Sequence, residues 1–359
     1  MTPLAPAPLT ADSAGGDSTT TGQGGGLAGL LWLTWRQHRW ALAGSVLLAA
    51  ALTGWIAYLA ADMTALHHQC HDLPCASGST QEAALTAPFG PLRVANDLLQ
   101  VVEFLPLLVG MFLGVPLLAR EHEQRTLLLA WSQDVSPARW LWTKLALIGT
   151  VVAVLTAALA AVCDHLAHVM ADVSEGGLFD GSMFLDSGML PLALGVAWFA
   201  VGVALGAGIR RVLPAVVGAV AGYAALLAVV EWRYPTFETP VSRFRPIAPL
   251  GDAGPIGSVN DLKIKGGFRI GPGEVQNLYD SSGHAVDYTR LKGLCSTDLG
   301  PDTLLPCLSR HHMQTFVKFQ PADRIPQFHL ILACGYLGIG ALALAAVWLI
   351  VRGTSLSAG

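Results

Sequence analysis

Apolar positions run unbroken for about twenty residues at six places: Trp40–Ala61, Leu98–Ala119, Trp142–Asp164, Met189–Gly208, Val212–Val230 and Phe328–Val351. Each run is long enough to cross a hydrocarbon layer of ~30 Å at a rise of ~1.5 Å per residue. A helix is the only open-chain structure that satisfies every backbone donor and acceptor in lipid. The pattern therefore predicts an all-α polytopic membrane protein with six transmembrane helices. Pro106 and Pro116 fall inside the second run and predict a kink or local unwinding there, whereas Pro191 and Pro214 sit in first turns, where a missing N–H costs little.

The connecting segments differ in kind. Residues 1–26 are mostly Ala, Pro, Gly, Ser and Thr with two Asp and no Lys or Arg, which reads as a disordered tail without a secretory signal. Leu27–Trp40 is either a helix lying in the membrane interface, with Trp32 and Trp35 at headgroup level, or an extension of the first span. Arg210–Arg211 leaves room only for a tight turn, making spans 4 and 5 a hairpin. Residues 231–327 carry Gly-Pro and Ser-Gly punctuation between short β-prone pieces such as Phe268–Ile270, with eleven basic and ten acidic residues. This segment is expected to be a mixed, loop-rich extracytoplasmic domain between the fifth and sixth helices, with some strand and a helix near Asp302–Met313. The expected organisation is thus a tail (1–26), five spans (27–230), the outer domain (231–327), and a last span with a short tail (328–359).

Composition supports lipid as the solvent. The chain is 53% hydrophobic and 13% charged, against roughly a quarter charged in soluble domains, which excludes a soluble enzyme. A net charge of −4 offers no basic field for nucleic acid. Nine Lys and Arg flank the spans on the side of the termini, and the two shorter loops opposite hold only Arg93. The remaining eleven lie in 231–327, and loops beyond ~60 residues escape the positive-inside rule. Both termini are therefore expected in the cytoplasm, with the chain in the cytoplasmic membrane. Cys70 and Cys75 in the first outer loop and Cys295 and Cys307 in the large one then face an oxidising compartment, where each pair is expected to form a disulfide.

Candidate chemistry is sparse. There is no P-loop motif, and Arg120–Arg125 (REHEQR) lacks the second His of a zinc-protease helix. His67, His68, Cys70, His71, Asp72 and Cys75 are crowded enough for a metal, but a disulfide-stapled loop is the favoured reading. Asp164, His165 and His168 could form a proton relay or a metal half-site, but more simply mark a helix leaving the bilayer. No metal or cofactor is assigned. Glu103 sits about 7.5 Å below the outer end of the second span. Because intramembrane carboxylates usually face protein or a wet cavity, it is assigned to a translocation path. Between spans 2 and 3, residues 120–144 place charge first, then an apolar patch at Leu127–Trp131, a polar turn with Pro137, and a basic-aromatic re-entry. Such an element can lie on the inner membrane surface and dock a cytoplasmic partner.

That loop resembles the first cytoplasmic loop of bacterial type 2 ABC exporter permeases, whose pattern ARE-x-E-x-x-T-x-x-LAW-[ST]-Q-x-V-[ST]-x-x-RW-x-x-x-K is matched from Ala119 to Lys144. Trp35, Arg36 and Arg39 match an opening W-R-x-x-R, and Phe319–Arg324 (FQPADR) matches a motif before the last span, although Ile325-Pro326 stands where the family has Phe-Trp. The resemblance implies a coupling helix contacting a separate P-loop ATPase subunit. Arg120, Glu121, Glu123, Thr126, Trp131, Ser132, Gln133 and Arg139 are the residues that match it. It also implies a second permease copy or homologue, ATP hydrolysis outside this chain, and export of an amphiphilic substrate. The competing reading is a membrane-anchored enzyme or sensor built on the outer segment and the His clusters.

Overall fold

The computed structural model describes residues 25–69, 83–85, 87–124, 137–173, 177–179, 181–247, 261–266, 268–271, 274–295 and 301–356. Six helical segments are long and apolar enough to cross a membrane. Span 1 is Gly25–His68, span 3 Pro137–Val173, span 4 Leu190–Ile209, span 5 Val212–Arg233 and span 6 Ile325–Leu356. Span 1 runs without a break through Leu27–Trp40, so of the two readings of that stretch the extension holds. The turn between spans 4 and 5 is tight enough to force Arg210 into the left-handed region at φ 59°.

Span 2 is built from pieces: Pro91–Val102, Leu105–Val109, a π-helical stretch Gly110–Gly114, and Val115–Glu123. Both interruptions lie immediately before a proline. Pro106 and Pro116 are each the second residue of the piece that follows. Neither can donate to the carbonyl four residues back, and each ring would clash with it. The chain opens into a turn at Glu103–Phe104 and widens to five-residue hydrogen bonding before Pro116, a local solution that a neighbouring helix must cover.

Span 4 supplies that cover, and it does so with backbone. A Cβ at Gly202 would strike the carbonyl oxygen of Gly110, and one at Gly206 that of Val115. From the other side, a Cβ at Gly114 would lie 2.7 Å from the Phe199 carbonyl oxygen, and one at Gly110 2.9 Å from that of Trp198. Two glycine pairs at four-residue spacing therefore face each other, the contact that small residues permit between helices in lipid, where dispersion rather than water expulsion drives association. Span 6 approaches span 4 in the same way at Gly340, whose Cβ would sit 3.1 Å from the Ala197 Cα. Gly335 and Gly338, five and two residues away, have nothing within 4 Å.

Spans 5 and 6 are joined by a small domain at the end of the bundle opposite the termini. Strand β6 (Gln314–Gln320) pairs antiparallel with β1 (Val241–Pro246) on one side and β2 (Leu262–Lys265) on the other. The two-residue β5 (Leu278–Tyr279) also pairs with β6, and β3 (Arg269–Gly271) forms a separate hairpin with β4 (Glu274–Gln276). A disulfide between Cys295 and Cys307 ties helix Tyr288–Leu294 to helix Pro301–Arg310, over a core that includes Leu278, Val286, Leu291 and Met313. Cys70 and Cys75 lie outside the described residues.

The junction between domain and bundle explains the FQPADR motif. Gln320 is fully buried and donates its amide to the carbonyls of Pro235 (3.0 Å) and Glu238 (2.7 Å). Arg324 pairs with Glu238 at 2.9 Å and donates to the Thr239 carbonyl (3.0 Å) and the Gln320 side chain (2.6 Å). The strand entering span 6 is thereby clamped to the segment leaving span 5.

Gly202→Leu is expected to abolish the monodisperse peak of the detergent-solubilised chain in size-exclusion chromatography, because the added side chain meets backbone rather than a movable rotamer. Gly338→Leu, which meets nothing, is expected to elute like the unmodified protein.

Candidate functional site

Two sites sit at opposite ends of the bundle. At the end that carries the termini, the long loop after span 2 leaves from Glu123 and returns at Pro137. The side chains at its two roots are fixed. Lys144, 2% exposed, forms an ion pair with Glu121 across the 23 residues that separate them, and its Nζ lies 4.2 Å from the centre of the Trp140 ring. A cation in so apolar a setting needs both the carboxylate and the aromatic face. The other carboxylate oxygen of Glu121 is buried without a hydrogen-bond partner among the described residues, so the pair is tight but incompletely solvated. Two residues on, Glu123 accepts a hydrogen bond from the Val212 N–H at 2.9 Å. Val212 opens span 5, and its N–H is one of the unsatisfied donors of a helix start, the place where a carboxylate is most favourable.

Glu121 thus joins span 2 to span 3, and Glu123 joins span 2 to span 5. Arg120 and Arg139 are both exposed at this end. Thr126, Trp131, Ser132 and Gln133 lie outside the described residues. Trp32 and Trp348, with Arg36 and Arg352 at 5.3 and 5.1 Å from the ring centres, ring the same end in the manner of interfacial anchors.

At the domain end, the turn that interrupts span 2 exposes Glu103 to a cavity of about 20 Å³, room for one water. Spans 2 to 6 all contribute to its wall: Glu103 and Pro106, Thr156, Leu194, Leu227, and Tyr336. Asp186, from the turn after helix Gly181–Leu185, completes it. Asp186 is 3% exposed, and one of its carboxylate oxygens has no hydrogen-bond partner among the described residues; the same holds for the Tyr336 hydroxyl. Burial, and then the charge of Glu103, push the Asp186 carboxyl well above the usual carboxylate range. Tyr223 of span 5 donates its hydroxyl to the backbone carbonyl of Glu103, holding the break in span 2 against span 5.

Other sequence candidates are spent on structure. Asp164 accepts from the Gly188 N–H at 2.7 Å, at a glycine in the left-handed region (φ 63°), and His168 folds back on the Asp164 carbonyl at 2.8 Å. Sequence reasoning passed over Lys144 as a partner for Glu121 and missed Asp186 and Tyr336. Asp186 had a signal: a lone acid in Phe184–Leu190 (FLDSGML) just before a span.

Comparison with known proteins gives two family matches. A family described as ABC-2 membrane transporter related matches residues 46–233, which takes in spans 2 to 5 and most of span 1. A domain of unknown function (DUF8319) matches residues 236–325, the β-rich domain with its clamp. No curated protein and no solved structure matches.

Lys144→Met is expected to lower stability by about 3–5 kcal/mol, since it leaves the Glu121 carboxylate buried alone. The double variant Lys144→Met/Glu121→Leu is expected to recover most of the loss. Thermal melts of the purified variants in detergent check both.

Proposed function

The chain belongs to the ABC-2 membrane transporter related family, and from that membership we propose that it is the permease subunit of an ATP-driven exporter, moving an amphiphilic substrate out across the cytoplasmic membrane. In this reading the termini and the loop between spans 2 and 3 are cytoplasmic, the β-rich domain is outside, and hydrolysis occurs in a separate P-loop ATPase that docks on the loop. A second permease copy or homologue completes the pore.

One observation carries the reading: both roots of the loop are locked into the bundle by charge. A force applied to a slack loop would be absorbed by the loop. Here it reaches span 3 through Glu121–Lys144 and span 5 through Glu123–Val212, while the glycine contact passes motion of span 2 to span 4. Closure of the ATPase would then displace several spans as one packed body, a transition between two discrete packings. Arg120, Glu121, Glu123, Thr126, Trp131, Ser132, Gln133 and Arg139 form or support the docking surface. Glu103, on the cavity at the interrupted part of span 2, lies on the translocation path. A membrane-anchored enzyme is the weaker reading, because Asp164, His168 and the Cys295–Cys307 pair are engaged in structural contacts.

Co-expression with the ATPase subunit tests the proposal. The pair is expected to co-purify, and Trp131→Asp or Arg120→Glu is expected to reduce recovery of the ATPase by about tenfold or more while leaving the permease folded. Undiminished recovery with both variants would overturn the assigned docking surface. Glu103→Gln is expected to reduce export without weakening ATPase binding, measured as substrate efflux from cells against pull-down yield.

A further inference from the structure

The cavity at the interrupted part of span 2 gathers two acidic side chains and no basic one. Glu103 and Asp186 both line it, no Lys, Arg or His does, and the remaining wall is apolar apart from Thr156 and Tyr336. Thr156 spends its hydroxyl on the Val152 carbonyl at 2.8 Å. An Asp186 oxygen and the Tyr336 hydroxyl, both buried, are left without partners among the described residues. The neighbouring polar groups do not offset this. Tyr223 is committed to the Glu103 carbonyl, His329 of span 6 lies 3.1 Å from the Phe184 carbonyl through Nε2, and Glu231 adds further negative charge near Glu103. Two carboxylates facing one apolar cavity with no counter-charge are costly unless something positive joins them.

We infer that this cavity is a binding site for an ammonium group, held by the carboxylates of Asp186 and Glu103 with the Tyr336 hydroxyl as a third acceptor. The assignment rests on the permease reading in so far as it names the substrate class of the proposed path. Its chemistry follows from the wall. An ammonium carries three donors, and this wall offers three acceptor groups, two of them carboxyls that an ammonium would hold ionised. A Ca²⁺ would need six to eight oxygens and a Mg²⁺ near-octahedral coordination, which two carboxylates and a phenol do not supply. The volume of about 20 Å³ admits a group of water's size, so the head fits as the site stands. An attached alkyl chain exceeds this volume, so an alkylamine requires the cavity to widen along Val102, Leu105, Leu159 and Leu194. The ammonium group belongs either to a small free amine or to the head of an amphiphilic amine, and the test separates the two.

The full-length chain in phosphatidylcholine nanodiscs is titrated calorimetrically with hexylammonium, methylammonium and the uncharged hexanol. Saturable hexylammonium binding at least about tenfold tighter than hexanol is expected, with that preference lost in Asp186→Asn and in Glu103→Gln and regained in part by Asp186→Glu. Methylammonium bound as tightly as hexylammonium identifies a small free amine as the occupant; weaker binding identifies the head of an alkylamine. Tyr336→Phe keeps both charges and is expected to weaken hexylammonium without removing its preference over hexanol. Melting of each variant in the same nanodiscs separates lost binding from lost fold. Equal binding of hexylammonium and hexanol by the unmodified chain, or an undiminished preference in folded Asp186→Asn and Glu103→Gln, would overturn the assignment. No ATPase is present in this experiment, so its failure leaves the permease reading standing, and failure of ATPase docking leaves this result standing.

Discussion

The structure depends on the absence of side chains where span 2 crosses span 4. Helices in lipid gain nothing from expelling water and associate through close van der Waals contact. Here that contact is backbone on backbone, Gly110 and Gly114 against Gly202 and Gly206. It coincides with the stretch in which span 2 departs from α-helical hydrogen bonding, so the glycine face of a widened, proline-directed segment is covered by protein while Phe112 faces outward. The irregularity and its cover come as a pair. Removing the cover would leave unsatisfied carbonyls in lipid, and removing the irregularity would close the turn that brings Glu103 to the cavity.

Charge within the bundle follows the same economy. Buried Lys144 pairs with half-buried Glu121 at one end, and buried Asp186 shares a cavity with half-buried Glu103 at the other. The first pair is mutually compensated and fastens spans 2 and 3. The second has no basic side chain on its cavity wall, which is the basis of the ammonium site proposed above. Spans 2, 3, 4 and 5 connect the two, through the ion pair, the Glu123 cap on span 5 and the glycine contact, so a displacement at one end has a rigid route to the other.

Much of this was legible in the residues and some was not. Six apolar runs fixed the number of helices, and the two prolines of span 2 located its interruptions, because both signals are local. The proposed docking segment rests on a sequence pattern, and Thr126, Trp131, Ser132 and Gln133 fall outside the described residues. The partner of Glu121 was not legible, since Lys144 lies 23 residues away and only the packing of spans 2 and 3 brings it close. Asp186 reads as an ordinary loop acid until spans 2 to 6 are seen to converge on it. The three-way clamp of Gln320, Arg324 and Glu238 depends on β6 being the centre of the sheet, an order that β-prone pieces of two to seven residues do not encode.

The central claim is that an external ATPase moves spans 2 to 5 as a packed lever against span 6. Double electron–electron resonance between spin labels at Ala138, the exposed start of span 3, and Gly353, the exposed end of span 6, measures that motion directly. The free cysteines Cys163 and Cys334 are replaced by alanine beforehand. The account predicts a shift of ~2–5 Å on adding ATP and vanadate with the ATPase subunit bound, and an unchanged distance when the chain is alone. An unchanged distance with the ATPase bound, or the same shift without it, would contradict the account.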